Sequence, residues 1–147
     1  MERDEFEKLR DLPDKVIRGD IRFVQSRSTS PNLTADGIRI ETPGGAPLVL
    51  NIGYNPVVGS KSFNVVYVGL GPICRLDVDG TAHRPAGRSH KHALSTPRCP
   101  DQNLRQVTDR PDLSGASLRA VFDAFCAMAR IEHLGAFEEP DRPGGTR

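Results

Sequence analysis

Apolar and polar positions change period along this chain. Between Glu2 and Leu12, Phe6, Leu9 and Leu12 recur at helical spacing among charges, and Pro13 closes the run. This predicts a short N-terminal helix whose acidic first turn suits the helix dipole. From Ile21 the period falls to two. Ile21, Phe23 and Gln25 alternate with Arg22 and Val24; Ile38 and Ile40 flank Arg39; Leu48, Leu50 and Ile52 alternate with Val49 and Asn51; Phe63, Val65 and Tyr67 alternate with Asn64 and Val66. Cys74, Leu76 and Val78 then alternate with Arg75, Asp77 and Asp79. Such alternation predicts half-buried strands. Turn signals separate them: Ser30-Pro31-Asn32, Asp36-Gly37, Pro43-Gly44-Gly45, Asn55-Pro56 and Gly69 to Pro72. Asp36-Gly37 and Pro43 to Gly45 read as hairpin turns.

Residues 80–112 carry no strong period. Beyond them, Leu118, Val121, Phe122, Phe125, Cys126 and Ala129 form the clearest helical stripe of the chain, with Asp112 or Ser114 as candidate caps. His133, after the last helical turn, reads as a partner for the helix C-terminal dipole. The expected fold is therefore α+β. An antiparallel sheet, or a small partly open barrel, of five to seven strands carries a short N-terminal helix and a packed C-terminal helix. Residues 1–137 form one domain, and 138–147, with two Pro and two Gly, form a flexible tail.

Composition narrows the function. At 147 residues, one domain is expected, and the chain is long enough to build its own core. The 14 Gly and 12 Pro favour turns and strands over long helices. A net charge of +1 excludes a uniformly basic nucleic-acid coat. No apolar run reaches the length of a membrane span, and the charged start lacks the apolar core of a secretory signal. Cys74, Cys99 and Cys126 make an odd, widely spaced set, which fits free thiols and a cytosolic setting better than a disulfide framework. Cys74 and Cys126 read as core.

The neutral total conceals local asymmetry. The first twenty residues hold seven acids and five bases. Residues 80–100 hold Arg84, Arg88, Lys91 and Arg98 and no acid, and this window also contains His83, His90 and His92, three of the four histidines. A tight turn over Pro85 to Gly87 would pair His83 with His90. It would then gather Arg75, Asp77, Asp79, Thr81, His83, His90 and His92 on one strand face. Arginine binds phosphate through two parallel donors, and histidine both takes and gives a proton near pH 7. RNA transesterification needs a base for the 2′-hydroxyl, an acid for the leaving 5′-oxygen and cations on the phosphoryl group. His83, His90 and His92, with Asp77 orienting an imidazole, supply the first two. Arg75, Arg84, Arg88 and Lys91 supply the third.

Other chemistries fit the same residues. His90-x-His92 with His83, closed by Cys99 or Asp77, has the donors of a zinc site, although the spacing matches no established zinc pattern. A His-, Arg- and Pro-rich segment also reads as a solvated loop without a site. Asp79-Gly80 reads as a simple turn, and Arg75 as a strand residue pairing with Asp77.

The run Arg75-Leu76-Asp77-Val78-Asp79-Gly80, then His83-Arg84, Gly87, His90-x-His92 and a later Phe125-Cys126 helix, resembles small uncharacterised prokaryotic proteins of toxin–antitoxin and defence-associated settings. It is distantly similar to the TumE-type toxins. The resemblance spans roughly residues 70–130. It implies a small α+β bacterial protein in the cytoplasm, with a cognate antitoxin or a nucleic-acid target, and it points to Arg75, Asp77, His83, His90 and His92. The leading expectation is an RNA-acting protein, in the form of a toxin-like ribonuclease that needs no cofactor. The alternatives are a non-catalytic interaction module of antitoxin or immunity type, and a zinc-stabilised domain.

Overall fold

A computed structural model describes residues 3–26, 31–79, 90–93, 106–109 and 111–140. The elements run α1 (Arg3–Arg10), β1 (Lys15–Ile17), β2 (Val24–Gln25), β3 (Leu33–Ile40), β4 (Leu48–Tyr54), β5 (Lys61–Tyr67) and β6 (Gly71–Val78). They continue with β7 (His90–Ala93), β8 (Gln106–Asp109), a 3-10 turn (Pro111–Leu113), α2 (Leu118–Ala129) and β9 (Ile131–His133). Strands β2 to β8 pair antiparallel with their sequence neighbours in one open seven-stranded sheet. The fold is α+β, as expected, and the sheet does not close into a barrel.

The alternation decides which face is the core. Leu48, Leu50 and Ile52 of β4 stand level with Tyr67, Val65 and Phe63 of β5, and Phe63 and Val65 stand level with Leu76 and Cys74 of β6. All but Tyr67 are buried. Helix α2 lies on this face and buries the whole predicted stripe from Leu118 to Ala129. Phe63 stacks on Phe125 with ring centres 5.4 Å apart and leans on Phe122 at 6.3 Å. Each such side chain contributes on the order of 1.5–3 kcal/mol by leaving water.

Two bulges reset the parity. In β3 the register shifts between Ala35 and Ile38, with Gly37 at φ +66° and its N–H on Asn51 Oδ1 at 2.8 Å. Asp36-Gly37 is thus an irregularity inside one strand, which corrects the hairpin turn expected there. The extra residue lets Ala35 and Ile38, on either side of it, both face the core. A second shift, between Val65 and Val66, inserts Ile73 beside Cys74 and buries both. Pro43 to Gly45 is a hairpin turn, closed by Gly45 N–H to Thr42 O.

Other expectations change at element ends. The strand expected from Ile21 shortens to Val24–Gln25, because Ile21 instead bridges Phe137 and exchanges backbone bonds with Ala136 and Glu138. The N-cap of α2 is Ser117, whose Oγ accepts from Ala120 N, and neither Asp112 nor Ser114 takes that role. Arg130 closes the helix in the left-handed conformation. His133 lies beyond this cap in β9, with Nε2 2.9 Å from Gly19 O and its ring edge-on to Phe122, so it does not serve the helix dipole. β9 pairs parallel with β1, which continues the β3 edge through Val16 and Glu41. Within the expected tail, Glu138 and Glu139 are held: Glu138 ion-pairs with Arg22, and Glu139 accepts from Arg119 N.

Candidate functional site

The sheet face turned away from α2 carries a polar patch across β4, β5 and β6. The alternation that sends Leu50, Phe63 and Leu76 inward places Asn51, Ser62, Asn64, Arg75 and Asp77 on the other side. Arg75 Nε donates to Asp77 Oδ1 at 3.1 Å. The Arg75 side chain is 47% exposed, whereas that of Asp77 is only 12% exposed. Such a pair adds little stability by itself. Its effect is to engage the guanidinium at Nε.

Strand pairing brings the expected residues to this face. His92 stands directly opposite Arg75, and His90 opposite Asp77. On the far side of β7, His90 stands opposite Asp109, and His92 opposite Val107. Two cross-strand rows result. One runs Ser62, Asp77, His90, Asp109; the other runs Asn64, Arg75, His92, Val107. Directly paired residues share a face, with Cβ atoms about 4.5–5.5 Å apart.

This geometry corrects the expected pairing of His83 with His90. Both flanks of His90 are taken, by β6 and by β8, because β7 pairs with β6 itself and the connection between them runs from Asp79 to Ser89. His83, Arg84, Arg88 and Cys99 lie outside the described residues. Lys91 is placed apart from the two histidines, at the register position between Leu76 and Thr108. The zinc alternative falls on His83, His90, His92 and Cys99, whose side chains are not among those described; among the described residues, no cluster of three metal-ligating side chains occurs.

Asp79 departs from the face. At the end of β6 it adopts φ +57°, and its carboxylate accepts from Ser114 Oγ at 2.8 Å, Gly115 N at 2.9 Å and Lys61 Nζ at 3.4 Å. Burial works to raise its pKa, but these donors outweigh it and hold the carboxyl below its ordinary value. Lys61 is buried and also donates to Gly59 O at 2.7 Å. This clip joins β5, β6 and the approach to α2. Beside it a cavity of about 730 Å³ opens between the β4–β5 turn and the start of α2, walled by Tyr54, Val57, Val58, Ser117 and Leu118. Its two charged groups are engaged internally, Lys61 with Asp79 and Glu139 with Arg119 N.

Two further groups escape sequence reasoning or refine it. Lys15, in β1, is 2% exposed, and its Nζ donates to Arg10 O at the end of α1. Burial lowers its pKa to about 8. Cys74 and Cys126 are buried free thiols, as expected, and burial pushes Cys126 up to about 12. No described helix is long and apolar enough to cross a membrane. Asp109, Ser62 and Asn64 join the site without any signal in linear spacing, since only register reveals them. Set against models of known families, curated proteins and solved structures, the chain finds no match.

Proposed function

We propose that the chain acts on RNA as a toxin-like, metal-independent ribonuclease, working from the β6–β8 face. The observation that carries this reading is the register of Arg75 with His92 and of Asp77 with His90. Two histidines two positions apart on one strand have Cα atoms about 7 Å apart. That separation suits two imidazoles acting on opposite sides of one phosphate. One takes the 2′-hydroxyl proton as the 2′-oxygen bonds to phosphorus. The P–O5′ bond breaks, and the other gives its proton to the leaving 5′-oxygen. A 2′,3′-cyclic phosphate and a free 5′-hydroxyl result. Arg75 offers its terminal nitrogens to a non-bridging oxygen while Asp77 steadies the guanidinium. An arginine at the register position opposite His92 also favours a phosphate here over a divalent cation.

The test uses protein purified without a metal-affinity tag and incubated with RNA in EDTA. Cleavage is expected, with cyclic phosphate ends. His90→Ala and His92→Ala, with folding verified, are each expected to lower the rate about 10²- to 10⁴-fold. Unchanged cleavage in both variants overturns the assignment. An intact RNA pool, with the protein co-purifying with a partner, would turn the reading to an interaction module.

A further inference from the structure

We infer that the Asp36-Gly37 peptide is a site of spontaneous isoaspartate formation, held in check by the side chain of Asn51. The chain holds two Asp-Gly pairs, at 36–37 and at 79–80. In each, the residue after the aspartate has no side chain to shield its backbone nitrogen from the carboxyl. The two carboxylates have unlike surroundings. That of Asp79 accepts from Ser114 Oγ, Gly115 N and Lys61 Nζ, and these donors hold it below its ordinary pKa. Ring closure expels a carboxyl oxygen as water and so draws on the protonated acid; an anchored, ionised carboxylate resists it. Asp36 is exposed, and its carboxylate has no hydrogen bond or ion pair among the described residues.

The backbone around Asp36 also suits the reaction. The register passes from Ala35 opposite Ile52 to Ile38 opposite Leu50, so Asp36 and Gly37 together stand against Asn51 alone. Gly37 is exposed at φ +66°, and no atom lies within 4 Å of where a Cβ would project. Its N–H donates to Asn51 Oδ1 at 2.8 Å. That bond must break before the nitrogen can attack. Once it is broken, the Gly37 nitrogen bonds to Asp36 Cγ, a Cγ–O bond breaks, and the amide proton and hydroxyl leave as water. The five-membered imide then takes water back. Opening at the α-carbonyl routes the chain through Cγ as isoaspartate, with an added methylene in the backbone. Opening at Cγ restores aspartate. Water is the only co-reactant, and it is returned.

The test ages the full chain in mildly acidic buffer. Isoaspartate is located by peptide mapping and counted by methyl transfer from an isoaspartyl methyltransferase. It is expected at position 36 and much more slowly at 79, and Asp36→Glu removes it. Asn51→Ala deletes the acceptor and is expected to speed formation at 36 about fivefold, the equivalent of a hydrogen bond of about 1 kcal/mol. Asn51→Asp keeps an oxygen for the N–H and should stay near the wild-type rate. Hydrogen exchange at the Gly37 amide should quicken in N51A and not in N51D. Formation at 79 as fast as at 36 overturns the site. A rate at 36 unmoved in N51A, or raised equally at 36 and 79 as general unfolding would do, overturns the role of Asn51.

Discussion

Replacing Lys15 with Met tests the energetics of the β1 strand most directly. Lys15 is 2% exposed, and burial lowers its pKa from 10.5 to about 8. That displacement corresponds to about 3 kcal/mol set against keeping the charge in the fold. The ammonium recovers part of it by donating to Arg10 O, a bond of about 1.5–3 kcal/mol when the donor is charged. Methionine keeps the length of the stem and removes the charge, so Lys15→Met is expected to stabilise the protein by about 1 kcal/mol at pH 7. The sign of the pH dependence follows from proton counting. Below pH 8 both folded and unfolded chains hold the Lys15 proton, and the penalty is complete. Between about 8 and 10.5 the folded protein has released it and the unfolded chain has not. Unfolding then takes up a proton, and wild-type stability rises with pH. The methionine variant lacks this rise, so its advantage shrinks and reverses as pH approaches 10. Urea melts of both proteins at pH 7, 8, 9 and 10 measure the difference and cancel the other titrating groups. A difference that stays constant across this range would refute the assignment of a buried, charged Lys15.

Two further substitutions probe the frame around the site. Asp79→Asn weakens the clip to Lys61, Ser114 and Gly115 and is expected to cost about 2–3 kcal/mol at neutral pH by thermal melt. Because the folded pKa of Asp79 is lowered, its contribution is present above the unfolded value near 3.8 and is lost as pH falls through the folded one; the gap between wild type and variant should therefore close in acid. Gly37→Ala is expected to cost about 1–2 kcal/mol through its positive φ alone, since no atom lies within 4 Å of the added Cβ, and Gly37→Asn should cost less in the same chemical melt.

Much of the sheet was legible because burial of one face leaves a period of two. β4, β5 and β6 show it, and α2 shows the helical stripe with all six expected residues buried. β8 was not legible, since Gln106-Val107-Thr108-Asp109 offers one apolar residue and no alternation. Asp36-Gly37 has the composition of a turn, yet the parity of apolar residues steps by one across it, from Leu33 and Ala35 to Ile38 and Ile40, and that step is the mark of a bulge. Of the candidate site, Arg75 and Asp77 could be placed from their own strand. The neighbours of His90 could not, because cross-strand register depends on how long a connection the chain spends before returning, and linear spacing does not encode it.

The parallel pairing of β1 with β9 also orders events in time. Contacts that fasten this ribbon span 114 to 119 residues, among them His133 to Gly19, Ala136 to Asp20 and Arg130 to Asp11. During synthesis, the meander from β3 to β6 can assemble as each strand leaves the ribosome, since every partner is its predecessor. β1 has only the two backbone bonds of Val16 with Glu41 to hold it early, and its parallel edge stays open until Ile131 to His133 emerge. Closure over so long a loop is slow in proportion to its contact order. The pairing of Lys15 with Ile131 thus joins the two ends of the described chain, and the ribbon cannot form before both have been made.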